Sequence, residues 1–175
     1  MKYLIFSDLH GSAKSAEFII QTFLKEKCDQ MICLGDVLYH GPRNDIPEFY
    51  SPKQVISILN PFADKILCIQ GNCDAEVDQM VLNFKLYKSK NLKINGKQCH
   101  LEHGHHLDES LKNFDIILYG HTHIPMLEKV KDTVYLNPGS ITLPKNSSFC
   151  SYMIWDKDSI TLFDVNGNRL KKLEV

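Results

Sequence analysis

The first half of the chain shows hydrophobic patterns that predict strands joined by a helix. Residues 2–7 and 31–34 are short apolar runs, typical of strands buried on both faces. Between them, Ser12 can cap a helix that extends to about Lys27. Because strand-helix-strand units have right-handed crossovers, the two strands are expected to be parallel neighbours. The apolar stripe of the helix consists of Ala16, Ile19, Ile20, Phe23 and Leu24.

The middle of the chain predicts further alternation of strands and helices. Residues 41–52 are rich in Pro, Gly, Asn and Asp, which predicts a long surface loop before a helix over residues 52–59. Asn95-Gly96 predicts a hairpin turn. Residues 107–113 predict a short helix. Strand-like runs cover residues 65–70, 84–89, 98–102 and 115–119.

After residue 124 the pattern changes to short strands separated by tight turns, which favours antiparallel pairing. The runs cover residues 126–130, 133–136, 151–155, 159–164 and 169–174. We therefore expect an α/β fold of two stacked sheets, one mostly parallel and one mostly antiparallel, with helices outside. A length of 175 residues favours a single domain over residues 1–175.

Composition narrows the function classes. A formal net charge of -1 gives no sign of a dedicated nucleic-acid surface. The apolar run at the N-terminus is too short for a signal peptide, and no run has the length of a membrane span. We therefore expect a cytoplasmic protein. The six cysteines form no CxxC pair, and most of them are expected to be reduced core residues.

Metal-ligating residue types concentrate in short islands where strands are predicted to end. Ligands in open α/β sheets collect beyond the carboxyl ends of strands. Carboxylates on adjacent strands, about 5 Å apart, repel each other unless a cation lies between them or one takes a proton. The islands are Asp8-Leu9-His10, Gly35-Asp36, Gly71-Asn72-Cys73-Asp74, His103-Gly104-His105-His106 and Gly120-His121-Thr122-His123.

The chemistry of these residues favours divalent cations. Oxygen and imidazole ligands suit Mn, Fe, Zn or Mg better than Cu or an iron-sulfur cluster. The set is too large for one ion, so we expect two ions, roughly 3.5–4 Å apart, with a bridging carboxylate. Each motif alone is weak, because Asp-x-His can be a capping device and Gly-Asp and Gly-Asn are common turn dipeptides. The ordered series favours the metal site.

These motifs, in this order, resemble the calcineurin-like metallophosphoesterase superfamily. Residues 35–44, 71–74 and 137–140 are similar to small bacterial phosphodiesterases of the YfcE type. The resemblance implies a metallo-dependent phosphatase-like sandwich of two mixed β-sheets flanked by helices. It also implies one metal on Asp8, His10 and His123, a second on Asn72, His103 and His121, and Asp36 as the bridge.

The implied function is a metal-dependent phosphodiesterase that hydrolyses a small nucleotide-like diester with a metal-activated water. Manganese is the first expectation for the two divalent ions, with Zn, Fe, Ni and Mg as alternatives. Asp36, Asn72 and His103 would belong to the catalytic centre. The expected partner is a small-molecule phosphodiester substrate. No association with a membrane is expected, and whether the protein forms a homo-oligomer is left open. The alternative is a catalytically silent scaffold of the retromer-subunit type, which usually has metal ligands replaced.

Four further residues have open roles. Many superfamily members carry His at the position of Cys73, where it protonates the leaving group, so Cys73 is either a packing residue or lies near the phosphate. A thiol is a poor acid, and we expect a preference for good leaving groups.

His40 either contacts substrate, donates a proton, or is a plain loop histidine. Arg43 either clamps a phosphate oxygen or is solvated, and His105 orients a metal ligand or the phosphate. Arg43 is the sole basic residue close to a motif in the sequence, which favours diesters over monoesters.

Overall fold

The structure, a computed structural model, describes residues 1–106, 111 and 113–175. Its helices are α1 (Ala13–Lys25), α2 (Pro52–Leu59) and α3 (Asp78–Val81), with a 3₁₀ helix over Asn60–Lys65. Its strands are β1 (Lys2–Phe6), β2 (Gln30–Cys33), β3 (Ile66–Ile69), β4 (Leu86–Tyr87), β5 (Ser89–Ile94), β6 (Lys97–Glu102), β7 (Ile116–Leu118), β8 (Met126–Val130), β9 (Thr133–Asn137), β10 (Ser151–Asp156), β11 (Ser159–Asp164) and β12 (Arg169–Glu174).

The described strands form two mixed sheets. The seven-stranded sheet has the order β12-β11-β10-β1-β2-β3-β4, in which β1 to β4 are parallel and the remaining pairs are antiparallel. The five-stranded sheet has the order β5-β6-β7-β9-β8, with β6, β7 and β9 parallel. The α/β sandwich of two mixed sheets is therefore confirmed.

Successive side chains along a strand point to opposite faces of the sheet, which produces two apolar layers. On β1, Leu4 and Phe6 pack with α1 and α2, whereas Ile5 faces the five-stranded sheet. Trp155 lies in this second layer and is fully buried. The seven-stranded sheet thus has helices on one face and the other sheet on its opposite face, which accounts for the nearly continuous apolar character of its central strands.

Several predicted elements are confirmed at their positions. Ser12 caps α1, where its Oγ accepts a hydrogen bond from the Ser15 N–H at 3.3 Å. Asn95 and Gly96 join β5 to β6, and both have positive φ (47° and 88°), as a two-residue hairpin turn with matching twist requires. Residues 41–51 contain no described helix or strand, in agreement with the predicted loop.

The predicted division into one mostly parallel and one mostly antiparallel sheet is wrong. Strands β10 to β12 join the first sheet because β10 pairs with β1, and β9 lies parallel to β7. The hydrophobic pattern of a strand does not specify its partner, so this pairing was not visible in the sequence. The predicted helix over residues 107–113 lies largely outside the described residues.

Smaller corrections concern element boundaries. The run predicted as one strand over residues 84–89 is divided at Lys88, where the chain passes from β4 of one sheet to β5 of the other. Leu24, placed on the buried stripe of α1, is 58% exposed in the last turn of the helix. The short helix α3 and the 3₁₀ helix were not predicted.

Both chain termini lie at the end of the sandwich where β1 begins. The Met1 ammonium donates to Asn95 Oδ1 at 3.1 Å, and Asn95 Nδ2 donates to the Lys157 carbonyl at 3.3 Å. The Val175 N–H donates to the Asp158 carbonyl at 2.8 Å. Among the described residues, no helix has the length and apolarity needed to span a membrane.

Candidate metal centre

The centre lies where strands of both sheets end at the same edge of the sandwich. Asp8, Asp36 and Asn72 follow the parallel strands β1, β2 and β3 of the seven-stranded sheet. His103 follows β6 of the five-stranded sheet, and residues 121–123 follow β7. Parallel strands present their carboxyl ends at one edge, so the two sheets deliver side chains to a common space.

Six of the seven candidate ligands make short polar contacts with one another. Asp36 Oδ2 lies 3.7 Å from His10 Nε2 and 3.4 Å from His103 Nε2. Asp8 Oδ1 lies 3.7 Å from His10 Nε2 and 3.3 Å from His123 Nε2. A further contact joins His103 Nε2 to Asn72 Oδ1 at 3.1 Å.

His121 is the outer member of this group. Its ring lies edge-on to the His103 ring, with 5.2 Å between centroids, and its backbone N–H donates to Asp8 Oδ2 at 3.1 Å. It is only partly buried, in contrast with His10, His103 and His123.

Backbone carbonyls fix the orientation of the three buried imidazoles. His10 Nδ1 donates to the Tyr39 carbonyl at 2.9 Å, and His103 Nδ1 donates to the Leu34 carbonyl at 2.6 Å. His123 Nδ1 donates likewise to the Leu143 carbonyl. With the proton held on Nδ1, each ring presents Nε2 to the centre, which is the usual arrangement of metal-ligating histidines.

Two features indicate that a cation belongs here. Asp8 Oδ1 is fully buried and has no hydrogen-bond partner among the described residues, which is costly for a carboxylate oxygen. His10 Nε2 and His123 Nε2 lie only 3.1 Å apart, although both nitrogens carry lone pairs when Nδ1 holds the proton. A divalent cation accepts electron pairs from the oxygen and both nitrogens and removes each conflict, so the residues fit a metal.

Electrostatics in the metal-free protein show the same demand for positive charge. Burial disfavours the charged forms of both Asp36 and His103. The hydrogen bond and the charge attraction between the two side chains outweigh this effect of burial. The pKa of Asp36 therefore lies well below its usual range, and the pKa of His103 rises to about 9. Burial is the largest influence on His10 and His121 and lowers the pKa of each. Without a metal, a proton on His103 partly neutralises the carboxylates.

Five candidate ligands adopt a backbone conformation that non-glycine residues seldom use. Their φ angles lie in the left-handed region, a strain of about 1–3 kcal/mol for each residue that the surrounding structure must offset. Such strain concentrates at functional sites because it aims side chains in directions that regular strands do not allow. The angles are 56° for Asp8, 50° for His10, 57° for Asp36, 65° for His121 and 60° for His123.

Glycines allow the loops to approach one another. A Cβ on Gly71 would overlap Asp36 Oδ1, and a Cβ on Gly120 would overlap Ser7 Oγ. At Gly35, with φ 104°, a Cβ would come within 2.7 Å of His103 Nδ1. The glycines that precede Asp36, Asn72 and His121 are thus required for space, and Gly35 is also required for its positive φ.

Asp74 holds two of the loops together, a role that the sequence did not reveal. Its Oδ2 accepts from the N–H groups of Asp36 (2.8 Å) and Gly71 (2.7 Å), and its Oδ1 accepts from Val37 N–H at 2.7 Å. Burial and the neighbouring Asp36 raise the pKa of Asp74 to about 6. The sequence offers only an acid two residues after the turn dipeptide Gly71-Asn72 as a signal.

The turn over residues 137–140 supports the centre from behind. Asn137 Nδ2 donates to the Gly120 carbonyl at 2.7 Å, and Ser140 Oγ donates to the Asp8 carbonyl at 2.8 Å. Both side chains are fully buried. The turn therefore fixes the backbone of two ligand loops.

A small polar pocket opens beside the candidate ligands. Its wall includes Arg43, Cys73 and Lys145 together with four of the candidate ligands, namely Asp36, Asn72, His121 and His123. In the folded protein, Arg43 is not the sole basic residue near the candidate ligands. Lys145, which lies beyond the last ligand motif in the sequence, lines the same pocket.

Cys73 is half-buried in this wall. Its N–H donates to Asp36 Oδ1 at 2.8 Å, and its Sγ accepts from Asn72 Nδ2 at 3.3 Å. Burial, together with the charge of Asp36, raises the pKa of the thiol to about 12.

Two other predicted residues lie at the periphery. The His40 ring packs edge-on against Tyr39 and Tyr50, with centroids 4.7 and 5.2 Å away, and His40 is not among the described residues that line the pocket. His105 lies against His103 and His121, with centroids 5.5 and 6.0 Å away, and lines a separate cleft that reaches Asn72.

Comparison with known proteins shows extensive similarity. The family model described as the calcineurin-like phosphoesterase superfamily domain matches residues 1–159. Phosphodiesterase YfcE of Escherichia coli K12 is 37% identical over 175 aligned positions, which cover 97% of this chain and 95% of that protein. The solved structure of YfcE, a phosphoesterase from E. coli, superposes with a TM-score of 0.95 at 35% identity and covers 99% of both chains.

A more distant structure shares the fold. Wild-type Vps29 from Entamoeba histolytica, solved in complex with zinc, is 20% identical, with a TM-score of 0.66 and 99% of both chains covered.

Proposed function

Because the chain belongs to the calcineurin-like phosphoesterase superfamily, we propose that it is a metal-dependent phosphodiesterase acting on small phosphodiesters at a binuclear centre. The similarity to phosphodiesterase YfcE over nearly the whole chain supports the diester as substrate class. The observation that carries the proposal is the position of Asp36 Oδ2 between His10 Nε2 and His103 Nε2, with the unpartnered Asp8 Oδ1 beside it.

In this proposal, Asp8, His10 and His123 hold one ion, and Asn72, His103 and His121 hold the other. Asp36 contributes to both. We propose manganese first, with Zn, Fe, Ni and Mg as alternatives, since oxygen and imidazole ligands accept all of them. Divalent ions at such a centre supply a water nucleophile at neutral pH and neutralise charge on phosphoryl oxygens.

The remaining side chains bind and position the substrate. Arg43 lines the pocket and can donate two parallel hydrogen bonds to phosphoryl oxygens. Cys73 lines it too, but a thiol with a pKa of about 12 donates a proton poorly at neutral pH. We therefore infer that turnover depends on leaving groups that depart without strong protonation.

His105, close to His103 and His121, has a positioning role in this proposal.

A catalytically silent scaffold on the same fold is the alternative, and the likeness to Vps29 at 20% identity supports the shared fold alone. Against it, metal-competent side chains occupy all of the motif positions, and six of them are in short polar contact. A scaffold without catalysis would not require this arrangement.

The test is a metal and substrate screen. Apo protein, reloaded separately with Mn, Mg, Zn, Ni or Fe, is assayed on chromogenic phosphate monoesters and diesters. We expect diester hydrolysis with at least one metal, loss of activity in Asp36→Asn and His121→Asn, and thermal unfolding of both apo variants close to that of the apo wild type. Activity equal to the blank with every metal would favour the scaffold.

A further inference from the structure

Residues 143–148, the His123 strap, enclose one candidate ligand with backbone and side-chain hydrogen bonds. The Leu143 carbonyl accepts from His123 Nδ1. The Lys145 N–H (3.4 Å) and Ser148 Oγ (3.3 Å) both donate to the His123 carbonyl. Asn146 and Ser147 adopt left-handed φ angles of 51° and 57° to complete the turn. The backbone of Lys145 is therefore held at a fixed position relative to the metal centre.

The Lys145 side chain lines the same small pocket as Arg43. Both residues are exposed, so they form a cationic rim above four candidate ligands. In the described part of the chain, neither residue forms an ion pair with a carboxylate, and Asp36 is the only carboxylate on the pocket wall. The positive charge of this rim is thus not neutralised by the protein.

The charge of the rim exceeds what a simple diester needs. A phosphodiester brings one negative charge, and two divalent ions already outweigh the charges of Asp8 and Asp36. Fixed cations at the mouth of a pocket select ligands by charge complementarity. Two further cations in the lining of this pocket therefore indicate additional negative charge on the ligand.

We propose that Lys145 is a substrate-binding residue which, together with Arg43, selects phosphodiesters carrying a second anionic group beside the scissile phosphate. This proposal rests on the proposed function and deepens it by naming the substrate class. The second anion would be a carboxylate or a phosphate attached to the alcohol that remains on phosphorus.

The experiment uses two diesters with the same leaving group. Ethyl p-nitrophenyl phosphate carries one charge, and carboxymethyl p-nitrophenyl phosphate adds a carboxylate. A phosphonomethyl analogue tells whether a phosphate-like anion is preferred over a carboxylate. Steady-state kinetics are measured on metal-loaded wild type, Lys145→Met, Arg43→Met and Lys145→Arg. Lys93→Met is the matched control, because Lys93 is exposed on β5, which lies outside the pocket wall.

We expect the wild type to prefer a doubly anionic ester, with kcat/KM about fivefold above that of the ethyl ester, the upper end of what one solvent-exposed ion pair contributes. Lys145→Met should remove most of this preference through KM while kcat changes little. Lys145→Arg should restore it, high salt should reduce it, and Lys93→Met should match the wild type.

Equal losses on both esters in Lys145→Met, or no loss on either, would overturn this proposal while diester hydrolysis itself stands. Absence of hydrolysis of every ester with every metal would instead overturn the proposed function.

Discussion

Cys73 lies on the pocket wall, and in the proposed function its side chain would govern how a proton reaches a leaving group. The superfamily pattern often places His there, and this chain offers a thiol whose pKa is raised to about 12. Gly41 lies close to Sγ, since a Cβ on that glycine would come within 2.8 Å of it, and so leaves limited room beside the sulfur. In the proposed function, Cys73 would therefore limit acid catalysis through the chemistry of its thiol rather than through its position.

Replacement of Cys73 by His should raise kcat on diesters with poor leaving groups by about tenfold or more, because a positioned imidazolium is an effective general acid. Hydrolysis of p-nitrophenyl esters should change much less. The measurement is the dependence of kcat on leaving-group pKa, with Cys73→Ser as a control of similar size. An unchanged slope in Cys73→His would contradict this role.

The protonation of His103 should be linked to metal binding. Its pKa of about 9 in the metal-free protein is raised by Asp36 and Asp8, so at pH 7 a proton occupies the position that a cation would take. Metal binding should release about one proton from this residue, and affinity should fall as pH decreases below about 9.

Isothermal titration calorimetry in buffers of different ionisation enthalpy measures this proton release. His103→Gln, which lacks a titrating group, should release correspondingly fewer protons at pH 7. Equal proton release by wild type and His103→Gln would show that the proton comes from elsewhere.

At the scale of elements, the turns at the two ends of the sandwich carry different constraints. Gly71, in the loop after β3, is not among the glycines with positive φ, but a Cβ there would overlap Asp36 Oδ1. Gly96, in the turn between β5 and β6, has φ 88° and no heavy atom within 4 Å of a built Cβ. One glycine is needed for space at the centre and the other for backbone conformation.

Gly71→Ala should therefore reduce activity to near the blank by displacing Asp36, whereas Gly96→Ala should keep wild-type kcat. Gly96→Ala should lower the free energy of unfolding by about 1 kcal/mol, the cost of a left-handed non-glycine residue. Urea unfolding and diester turnover of the two variants provide the comparison. Full activity in Gly71→Ala would show that the Asp36 position is not critical.

The strands and their loops differ in how far the sequence predicts them. Strand ends and their ligand residues could be predicted because local periodicity and motif order carry that information, as Asp8, Asp36 and Asn72 illustrate. The pairing of β10 with β1 could not be predicted, because the apolar pattern of a strand does not specify which strand it pairs with. The roles of Asp74 and Lys145 were missed, because their contacts depend on segments that are far away in the sequence.

At the scale of the whole molecule, the centre joins the two sheets. Asp8, Asp36 and Asn72 follow strands of the seven-stranded sheet, and the histidines at positions 103, 121 and 123 follow strands of the other. An ion bound between them would link layers that otherwise associate through the apolar core. We therefore expect metal binding to be coupled to the global stability of the sandwich.

Metal should raise the melting temperature substantially. At free metal a thousandfold above Kd, stabilisation reaches about 4 kcal/mol, which corresponds to roughly 10 °C for a chain of this size. Scanning calorimetry with Mn and with a chelator measures the difference, which should largely disappear in Asp36→Asn. A chelator-insensitive melting temperature would indicate that no ion binds between the sheets.

The clustering of Met1, Asn95, Lys157 and Val175 at the far end of the sandwich has a consequence for rearranging the gene. A short peptide could join the present ends without crossing any catalytic loop, and new ends could be opened at the exposed Gly167 turn, where a built Cβ meets nothing within 4 Å. Such a circular permutant should retain diester turnover. The folded arrangement of the two sheets positions the ligand loops, and their order along the chain does not change that arrangement.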